Sequence, residues 1–249
     1  MPPRLLLVFA HPDDESFVAA GLSRRYADAG AHIALVTATR GEAGSRGDPP
    51  LCTEEELPAL RESELREAAA LLGIGDIHLL GYRDRHLADA SPGIIREQLV
   101  EIIRRHRPHV VVTYDLNGGH GHADHVAISR FTMDAVSAAA DPRWHTAAGA
   151  AHCVQRVLWT PPVLAWDDPP PKTMDTEPGV DFLLDISDQK TTKTAALRAH
   201  RTQHRSTERW ILDKPRADQI LSIETFRQAW GAPIPVVPLD DVFAGIMVN

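Results

Sequence analysis

Short apolar runs alternate with segments of helical periodicity through the first 140 residues, and this alternation restricts the fold more than any other feature of the chain. A continuous apolar run such as "LLLVF" is typical of a strand covered on both faces of a parallel sheet. A strand, a helix and a further strand in succession imply a right-handed crossover, so an α/β fold is expected. The predicted strands are residues 5–9, 32–37, 77–81 and 109–115, and the predicted helices are residues 16–29, 58–72, 94–106 and 126–139.

Outside these elements the pattern is less regular. Residues 40–57, "RGEAGSRGDPPLCTEEEL", predict a long loop of the kind that often carries function. In the last third, "VQRVLWT" and "DFLLDIS" resemble strands around a proline-rich loop at 161–171, and residues 190–204 resemble a helix. The tail from Pro233 shows no clear period. Neither a repeat nor a flexible linker is evident, so we expect one domain, 1–249, with a core at about 1–140 and an elaboration at about 141–249.

Composition excludes several classes of protein. A chain of 249 residues that is 43% hydrophobic can bury a large core. The formal net charge of −8 argues against a nucleic-acid coat or a binder of anionic membranes. With no bilayer-length apolar run and no signal-peptide pattern, we expect a cytoplasmic protein. Cys52 and Cys153 stand far apart, so a bound metal would be held by histidines and carboxylates.

The first predicted strand runs into one imidazole and three carboxylates in "FAHPDDES", residues 9–16. Helix capping explains part of this stretch, because Asp13 or Asp14 could be an N-cap and Glu15 a first-turn acid. A cap needs only one side chain, whereas this stretch also supplies His11 where open α/β sheets bind ligands. The sequence therefore favours a metal site, and Glu15 keeps the structural role.

A second polar cluster, "LNGGHGHADH" at residues 116–125, follows the fourth predicted strand. This cluster alone would be weak evidence of a metal site, since a solvated turn or a helix cap at Asp124 explains such residues equally well. His122 and His125 are three positions apart and can share one face if the helix has already begun. If the two strands are neighbours in the sheet, the two clusters meet.

Together the clusters contain the groups that metal-assisted amide hydrolysis requires. Catalytic zinc uses about three protein ligands and keeps an open position, and two imidazoles with one carboxylate suit it. A further carboxylate can take a proton from water. A further histidine can stabilise an oxyanion or protonate a leaving nitrogen.

Four ordered motifs, "AHPDDE", "TRGEAGS", "LGYRD" and "NGGHGHADH", resemble the PIG-L/LmbE-like family of N-acetylglucosaminyl deacetylases. That family includes deacetylases of the mycothiol and bacillithiol pathways. The resemblance covers roughly the first 130 residues, with a weaker echo in "KTAALRAHRTQ". Because several motifs occur in order, the resemblance is far more specific than any one of them.

The resemblance implies a Rossmann-like fold, with a mostly parallel sheet, helices on both faces and an elaborated C-terminal third. It implies a zinc-dependent hydrolase that releases acetate from an N-acetylated amino sugar. By resemblance, His11, Asp14 and His125 would hold the metal. Fe²⁺ or another divalent ion stays open, since such ligands discriminate poorly among metals.

The resemblance also implies catalytic and substrate residues. Asp13 would be the general base that takes a proton from water. His122 would be the general acid or an electrostatic partner of the transition state, with Asp124 orienting it. Arg61 and Asp84 match positions that line the substrate pocket of the family.

The sequence departs from the family pattern at two positions. "GHADH" replaces the usual "GHPDH", which changes the stiffness of the turn rather than the chemistry. In the mycothiol branch a tyrosine that polarises the carbonyl stands two positions before the residue equivalent to His122. Here that position is His120, a candidate substrate-binding residue, and the change argues against a mycothiol-type substrate.

Three other functions are weighed against the deacetylase. One is a metal-dependent amidohydrolase acting on a non-sugar N-acyl substrate. Another is a non-hydrolytic nucleotide-binding Rossmann module, disfavoured because no G-x-G-x-x-G follows the first strand. The last is an inactive metal-binding scaffold. The presence of both the candidate base Asp13 and the candidate acid His122 argues against it. The expected partner is a small N-acetyl amino sugar or glycoconjugate, and a homo-oligomer is left open.

Overall fold

The computed structural model describes residues 2–160 and 179–248. Within these ranges the strands and helices follow one another in a regular β/α order up to the fifth strand. Their bounds are β1 (Arg4–Phe9), α1 (Asp14–Val18), α2 (Ala20–Asp28), β2 (His32–Thr39), α3 (Leu57–Leu72), β3 (Asp76–Tyr82), α4 (Pro92–His106), β4 (Val110–Tyr114), α5 (Gly118–Gly121), α6 (Ala123–Ala140), β5 (Arg156–Thr160), β6 (Phe182–Asp185), α7 (Lys190–Ala199), α8 (His204–Thr207), α9 (Ala217–Ile220) and β7 (Ile223–Gly231).

The strands form one sheet in the order β3-β2-β1-β4-β5-β7-β6. The first five strands are parallel, and β7 runs antiparallel to both β5 and β6. The prediction of a mostly parallel α/β sheet is therefore confirmed. All five residues of the first apolar run, 5–9, are buried, as expected for a central strand covered on both faces.

The direction of the crossovers changes at β1. From β1 the chain moves through β2 to the edge strand β3, and then returns to add β4 and β5 on the other side. Right-handed crossovers in opposite directions place α2 and α3 on one face of the sheet and α4 and α6 on the other. The carboxyl ends of β1 and β4 thus flank the switch point where ligands bind in open α/β sheets.

The predicted helix at 16–29 is two helices in the structure. The chain breaks at Ala19, whose φ of −142° is not helical, and α1 already begins at Asp14. The backbone N–H groups of Gly21 and Leu22 donate to the carboxylate of Glu224, at 2.9 and 2.8 Å. A carboxylate from β7 therefore caps the start of α2, which local sequence could not indicate.

The same Glu224 forms an ion pair with Lys193 of α7, with Nζ 2.8 Å from Oε1 and the lysine fully buried. Removing one partner of a buried pair leaves the other charge uncompensated. We expect Lys193→Met to lower the free energy of unfolding by about 3 kcal/mol in urea titrations. The matched control is Lys190→Met, which removes a pair with the exposed Asp218 and should change stability by less than about 1 kcal/mol. Equal effects in the two variants would contradict the expectation.

The C-terminal third combines confirmed and missed elements. β5 and β6 lie within "VQRVLWT" and "DFLLDIS" as predicted, and the helix predicted at 190–204 is interrupted after Ala199. Strand β7 was not predicted, yet it lies between β5 and β6 in the sheet. The proline-rich loop at 161–171 lies outside the described residues, and the single-domain assignment stays a prediction.

Across the described residues, the structure has no helix with the length and apolar composition that a membrane crossing requires.

Candidate active site

The two polar clusters meet at the switch point of the sheet. His11 and the start of α1 follow β1, and the turn around α5 with the start of α6 follows β4. Helix α6 begins at Ala123 with His122 as its N-cap, three residues earlier than predicted. Because the helix has already begun, His122 and His125 can share one face, and both rings lie 4.8–5.1 Å, centroid to centroid, from that of His11.

The three residues expected to hold a metal have their donor atoms together. His11 Nδ1 lies 3.2 Å from His125 Nε2 and 3.7 Å from Asp14 Oδ2, and His125 Nε2 lies 3.4 Å from Asp14 Oδ1. Ligands at zinc-like bond lengths in a tetrahedron are separated by about 3.3 Å. The two imidazole nitrogens face different oxygens of Asp14, and Oδ2 also accepts from the backbone N–H groups of Ala10 and His11, which leaves Oδ1 for a cation. Two imidazole nitrogens and one carboxylate oxygen suit a divalent cation such as zinc. Among the described residues, His11, His122 and His125 form another group of donors that could hold a cation, and His11, Asp84 and Asp124 form a second.

The protonation states of His125 and Asp14 also suit the binding of a cation. Burial lowers the pKa of His125 to about 4, against the opposing charge of Asp14, so its imidazole is neutral. Burial alone would raise the pKa of Asp14, but His125 and His11 hold it below its ordinary value. A neutral imidazole and an ionised carboxylate are the forms that bind metals.

The other ring nitrogen of His11 faces two carboxylates. Nε2 lies 3.1 Å from Asp84 Oδ1 and 3.2 Å from Asp124 Oδ2. Burial opposes protonation of His11, but hydrogen bonds to Asp124 and Asp84 outweigh it and raise the pKa to about 10. Metal-bound histidines commonly donate their second N–H to a carboxylate in this way. Because a pKa of about 10 keeps the metal-free ring protonated, a metal would have to displace the proton on Nδ1 when it binds.

The carboxylate of Asp124 faces His11 rather than His122. It accepts from His11 and from the backbone N–H groups of Arg85 and Leu87, at 2.6 and 3.1 Å. The contact with His122 is made instead by the backbone, since the N–H of Asp124 donates to His122 Nδ1 at 3.2 Å. That bond leaves the proton of a neutral His122 on Nε2. Burial and nearby His11 lower the pKa of His122, which favours the neutral form.

Asp13 faces a different partner from its neighbour Asp14. Its Oδ2 lies 3.2 Å from Arg61 Nη2, and its backbone has φ +112°, a region that non-glycine residues rarely adopt. Burial raises the pKa of Asp13 to about 6, while the Arg61 guanidinium opposes the rise. Such strain is common at functional sites, where the surrounding structure holds the backbone in place.

Arg61 was expected to line a substrate pocket, and in the structure it is buried against the carboxylate of Asp13. Its guanidinium is buried and donates to the carbonyl oxygens of Pro12 and Gly41, the latter at 2.9 Å. Gly41 has φ +65°, and a Cβ there would lie 1.9 Å from Arg61 Nη1. The close approach of loop and guanidinium therefore requires glycine at this position.

The other two expected substrate residues differ in exposure. Asp84 is buried, and its Oδ2 accepts from the backbone N–H of Ala43 at 3.0 Å while Oδ1 faces His11. His120 is exposed, and its ring centroid lies 5.0 Å from that of His125. Of the three expected substrate residues, His120 alone is open to solvent beside the cluster.

Tyr114 is a site residue that the sequence analysis missed. Its ring stacks on His125 with centroids 4.1 Å apart and planes 3° from parallel. Burial and the neighbouring Asp14 carboxylate raise the pKa of its hydroxyl well above the ordinary value. The sequence feature that could have indicated Tyr114 is its position at the carboxyl end of β4, because ligands of open α/β sheets bind at the carboxyl ends of the strands. Tyr114 thus supports two of the three expected ligands.

We expect Tyr114→Phe to weaken zinc binding by about tenfold, because it removes the hydroxyl that interacts with the Asp14 carboxylate and keeps the stacked ring. Competition with a chromophoric chelator measures the affinity. Tyr82→Phe is the control, since that hydroxyl donates to Gln98, which lies on α4. Unchanged zinc affinity in Tyr114→Phe would show that the hydroxyl does not hold Asp14 as a ligand.

A mostly parallel α/β sheet with a buried imidazole and carboxylate cluster at its switch point defines the chain as an α/β protein with a candidate metal centre. Residues 6–136 match the PIG-L family, described as GlcNAc-PI de-N-acetylase. This match spans more than half of the chain, and the chain belongs to that family, as its motifs predicted.

Two relatives cover nearly the whole chain. A Streptomyces griseus protein named 1D-myo-inositol 2-acetamido-2-deoxy-alpha-D-glucopyranoside deacetylase is 35% identical over 98% of this chain and 89% of its own length. A protein of the same name from Thermobifida fusca is 38% identical over 90% of this chain and 91% of its own length.

Two solved structures share the fold at low identity. The N,N'-diacetylchitobiose deacetylase from Pyrococcus horikoshii has a TM-score of 0.72 and 22% identity, covering 90% of this chain and 83% of its own. The 4-carboxy-2-hydroxymuconate hydratase from Pseudomonas putida has a TM-score of 0.69 and 18% identity, covering 94% of this chain and 99% of its own. Since a deacetylase and a hydratase share it, the fold alone does not decide the reaction.

Proposed function

We propose that this chain removes the acetyl group from the nitrogen of an N-acetylglucosamine-type amino sugar, with zinc held by His11, Asp14 and His125. The observation that carries the proposal is the meeting of these three residues, whose nitrogen and oxygen atoms approach to 3.2–3.7 Å, beside the ion-paired Asp13. The names of the relatives, which are deacetylases of a GlcNAc glycoside, support the same reaction.

A cation bound by these donors supplies Lewis acidity toward water and toward the acyl carbonyl. Asp13 takes the proton from the attacking water. A pKa of about 6 keeps its carboxylate mostly ionised near neutral pH and still basic enough to accept a proton. Arg61 holds that carboxylate in place from the buried side.

His122 acts at the acyl oxygen or the leaving nitrogen. Its Nδ1 accepts from the backbone, so the neutral ring presents Nε2–H as a donor. A fixed donor of this kind stabilises charge that develops in the transition state. We therefore assign His122 the electrostatic role, and Asp124 holds His11 rather than His122.

The substrate proposed is a glycoside of N-acetylglucosamine, with the α-linked inositol glycoside named for the relatives as the first candidate. The argument from His120 against a mycothiol-type substrate receives no support from these relatives. His120, exposed beside His125, is placed to contact the sugar.

The test incubates the zinc-loaded protein with the GlcNAc–inositol glycoside, free GlcNAc and an N-acetyl amino acid. New primary amine and free acetate, in equal amounts, are expected from the glycoside first. If only the N-acetyl amino acid is cleaved, the chain is a non-sugar amidohydrolase. If nothing is cleaved and NAD raises the melting temperature, a nucleotide-binding module replaces the proposal.

A further inference from the structure

We infer that residues 200–203, "HRTQ", position the peptide and carboxylate of Asp13 through contacts with Glu15, Glu64 and Ser45. The inference rests on the proposed role of Asp13 as the base. This segment contains the C-terminal end of "KTAALRAHRTQ", a motif to which the proposed mechanism assigns no task. Each of three residues in it contacts a different segment around Asp13.

The first contact joins His200 to the backbone of Asp13. His200 Nε2 lies 2.7 Å from Glu15 Oε1, and both side chains are fully buried. The other oxygen of Glu15 accepts from the backbone N–H of Asp13 at 3.1 Å. Glu15 is thus a first-turn acid, as the sequence predicted, but it also links His200 to a peptide held at φ +112°.

The second contact fixes the helix that carries Arg61. Thr202 donates its backbone N–H to Glu64 Oε1 at 3.0 Å and its hydroxyl to Glu64 Oε2 at 2.6 Å. Glu64 is fully buried and stands three residues after Arg61 on α3. A shift of α3 would therefore move the guanidinium that pairs with Asp13.

The third contact fixes the loop beneath the same guanidinium. Gln203 Nε2 donates to the carbonyl oxygen of Ser45 at 2.8 Å. Gly41 lies in this loop, and its carbonyl oxygen accepts from Arg61 at 2.9 Å. The loop is therefore held at two points, at Gly41 by Arg61 and at Ser45 by Gln203.

The chemistry of these contacts favours positioning over simple core packing. Replacing a whole buried ion pair with apolar groups of similar volume is often neutral for stability, so a gain in stability alone does not account for the pair of His200 with Glu15. A displacement of about 1 Å at a catalytic group can cost a hundredfold in rate. The contacts with Glu15, Glu64 and Ser45 limit that displacement, because they fix the segments that carry the Asp13 peptide and surround Arg61.

The test compares His200→Leu, which removes the donor, with His200→Gln, which keeps a nitrogen donor near the same place. Arg198→Ala, an exposed position on α7, is the control. We expect His200→Leu to lower kcat about 100-fold with KM and zinc content unchanged. Hydrogen exchange in residues 10–18 should become faster. His200→Gln should recover most of both losses, and Arg198→Ala should change neither.

Two outcomes overturn the inference: wild-type kcat and exchange in His200→Leu, or equal losses in His200→Leu and His200→Gln. If His200→Leu fails to fold, Thr202→Val tests the inference by the same measurements of kcat and of hydrogen exchange in residues 10–18. We expect it to lower kcat about tenfold. If the wild-type protein cleaves no acetamide, the proposed function fails. Exchange in residues 10–18 of the variants then still decides whether the segment holds the Asp13 peptide.

Discussion

Asp13→Asn should lower kcat by about 1,000-fold while the protein keeps a full complement of zinc. The amide cannot accept a proton from water as a carboxylate does. Asparagine tolerates positive φ better than most residues, so the backbone at +112° should be preserved. Acetate release gives kcat, and elemental analysis of the purified variant gives the zinc content.

The neighbouring Asp14→Asn is the matched control for this variant. The carboxylate of Asp14 lies among the expected ligands, 3.4 Å from His125 Nε2, whereas that of Asp13 lies against Arg61. Asp14→Asn should therefore lose zinc and activity together. Loss of zinc from Asp13→Asn would contradict the separation of roles between the two aspartates.

His125→Ala should abolish stable zinc binding and reduce acetate release below detection. The variant removes one of the three expected metal ligands and also the ring against which Tyr114 stacks. A site with two protein ligands instead of three binds zinc too weakly to retain it when the protein is diluted. Equilibrium dialysis followed by elemental analysis measures the bound zinc.

His78→Ala is the control for this loss, because His78 pairs with His106 and lies on the edge strand β3, away from the cluster. It should keep both zinc and activity. In the wild-type protein, a chelator should abolish activity and added zinc should restore it. A zinc-replete His125→Ala would remove this residue from the ligand set.

The first four strands were predicted to within about three residues, because a run of apolar residues is a local property of the sequence. Such runs are fully buried in β1 and β4 and half-buried in the edge strand β3. Strand β7 escaped prediction for a physical reason. Its second residue, Glu224, is buried against Lys193 and the N–H groups of Gly21 and Leu22, but a glutamate in a sequence indicates an exposed position.

The motifs named the residues that meet at the site but not all of their contacts. The family resemblance implied that Asp124 orients His122, which stands two positions before it. In the structure its carboxylate turns to His11, 113 positions away, and its backbone contacts His122. Tyr114 was overlooked because a tyrosine at the end of a buried strand is indistinguishable from an ordinary core residue.

By itself, the sequence determined the α/β class, the family, and which imidazoles and carboxylates meet at the carboxyl ends of β1 and β4. These follow from short-range patterns, namely apolar runs, turn residues and motifs of a few positions. Only the tertiary structure decided which atom faces which. The contacts of His11 with His125, of Glu15 with His200 and of Gly21 with Glu224 join residues 114, 185 and 203 positions apart. Such contacts depend on strand order and side-chain direction, which no local pattern contains.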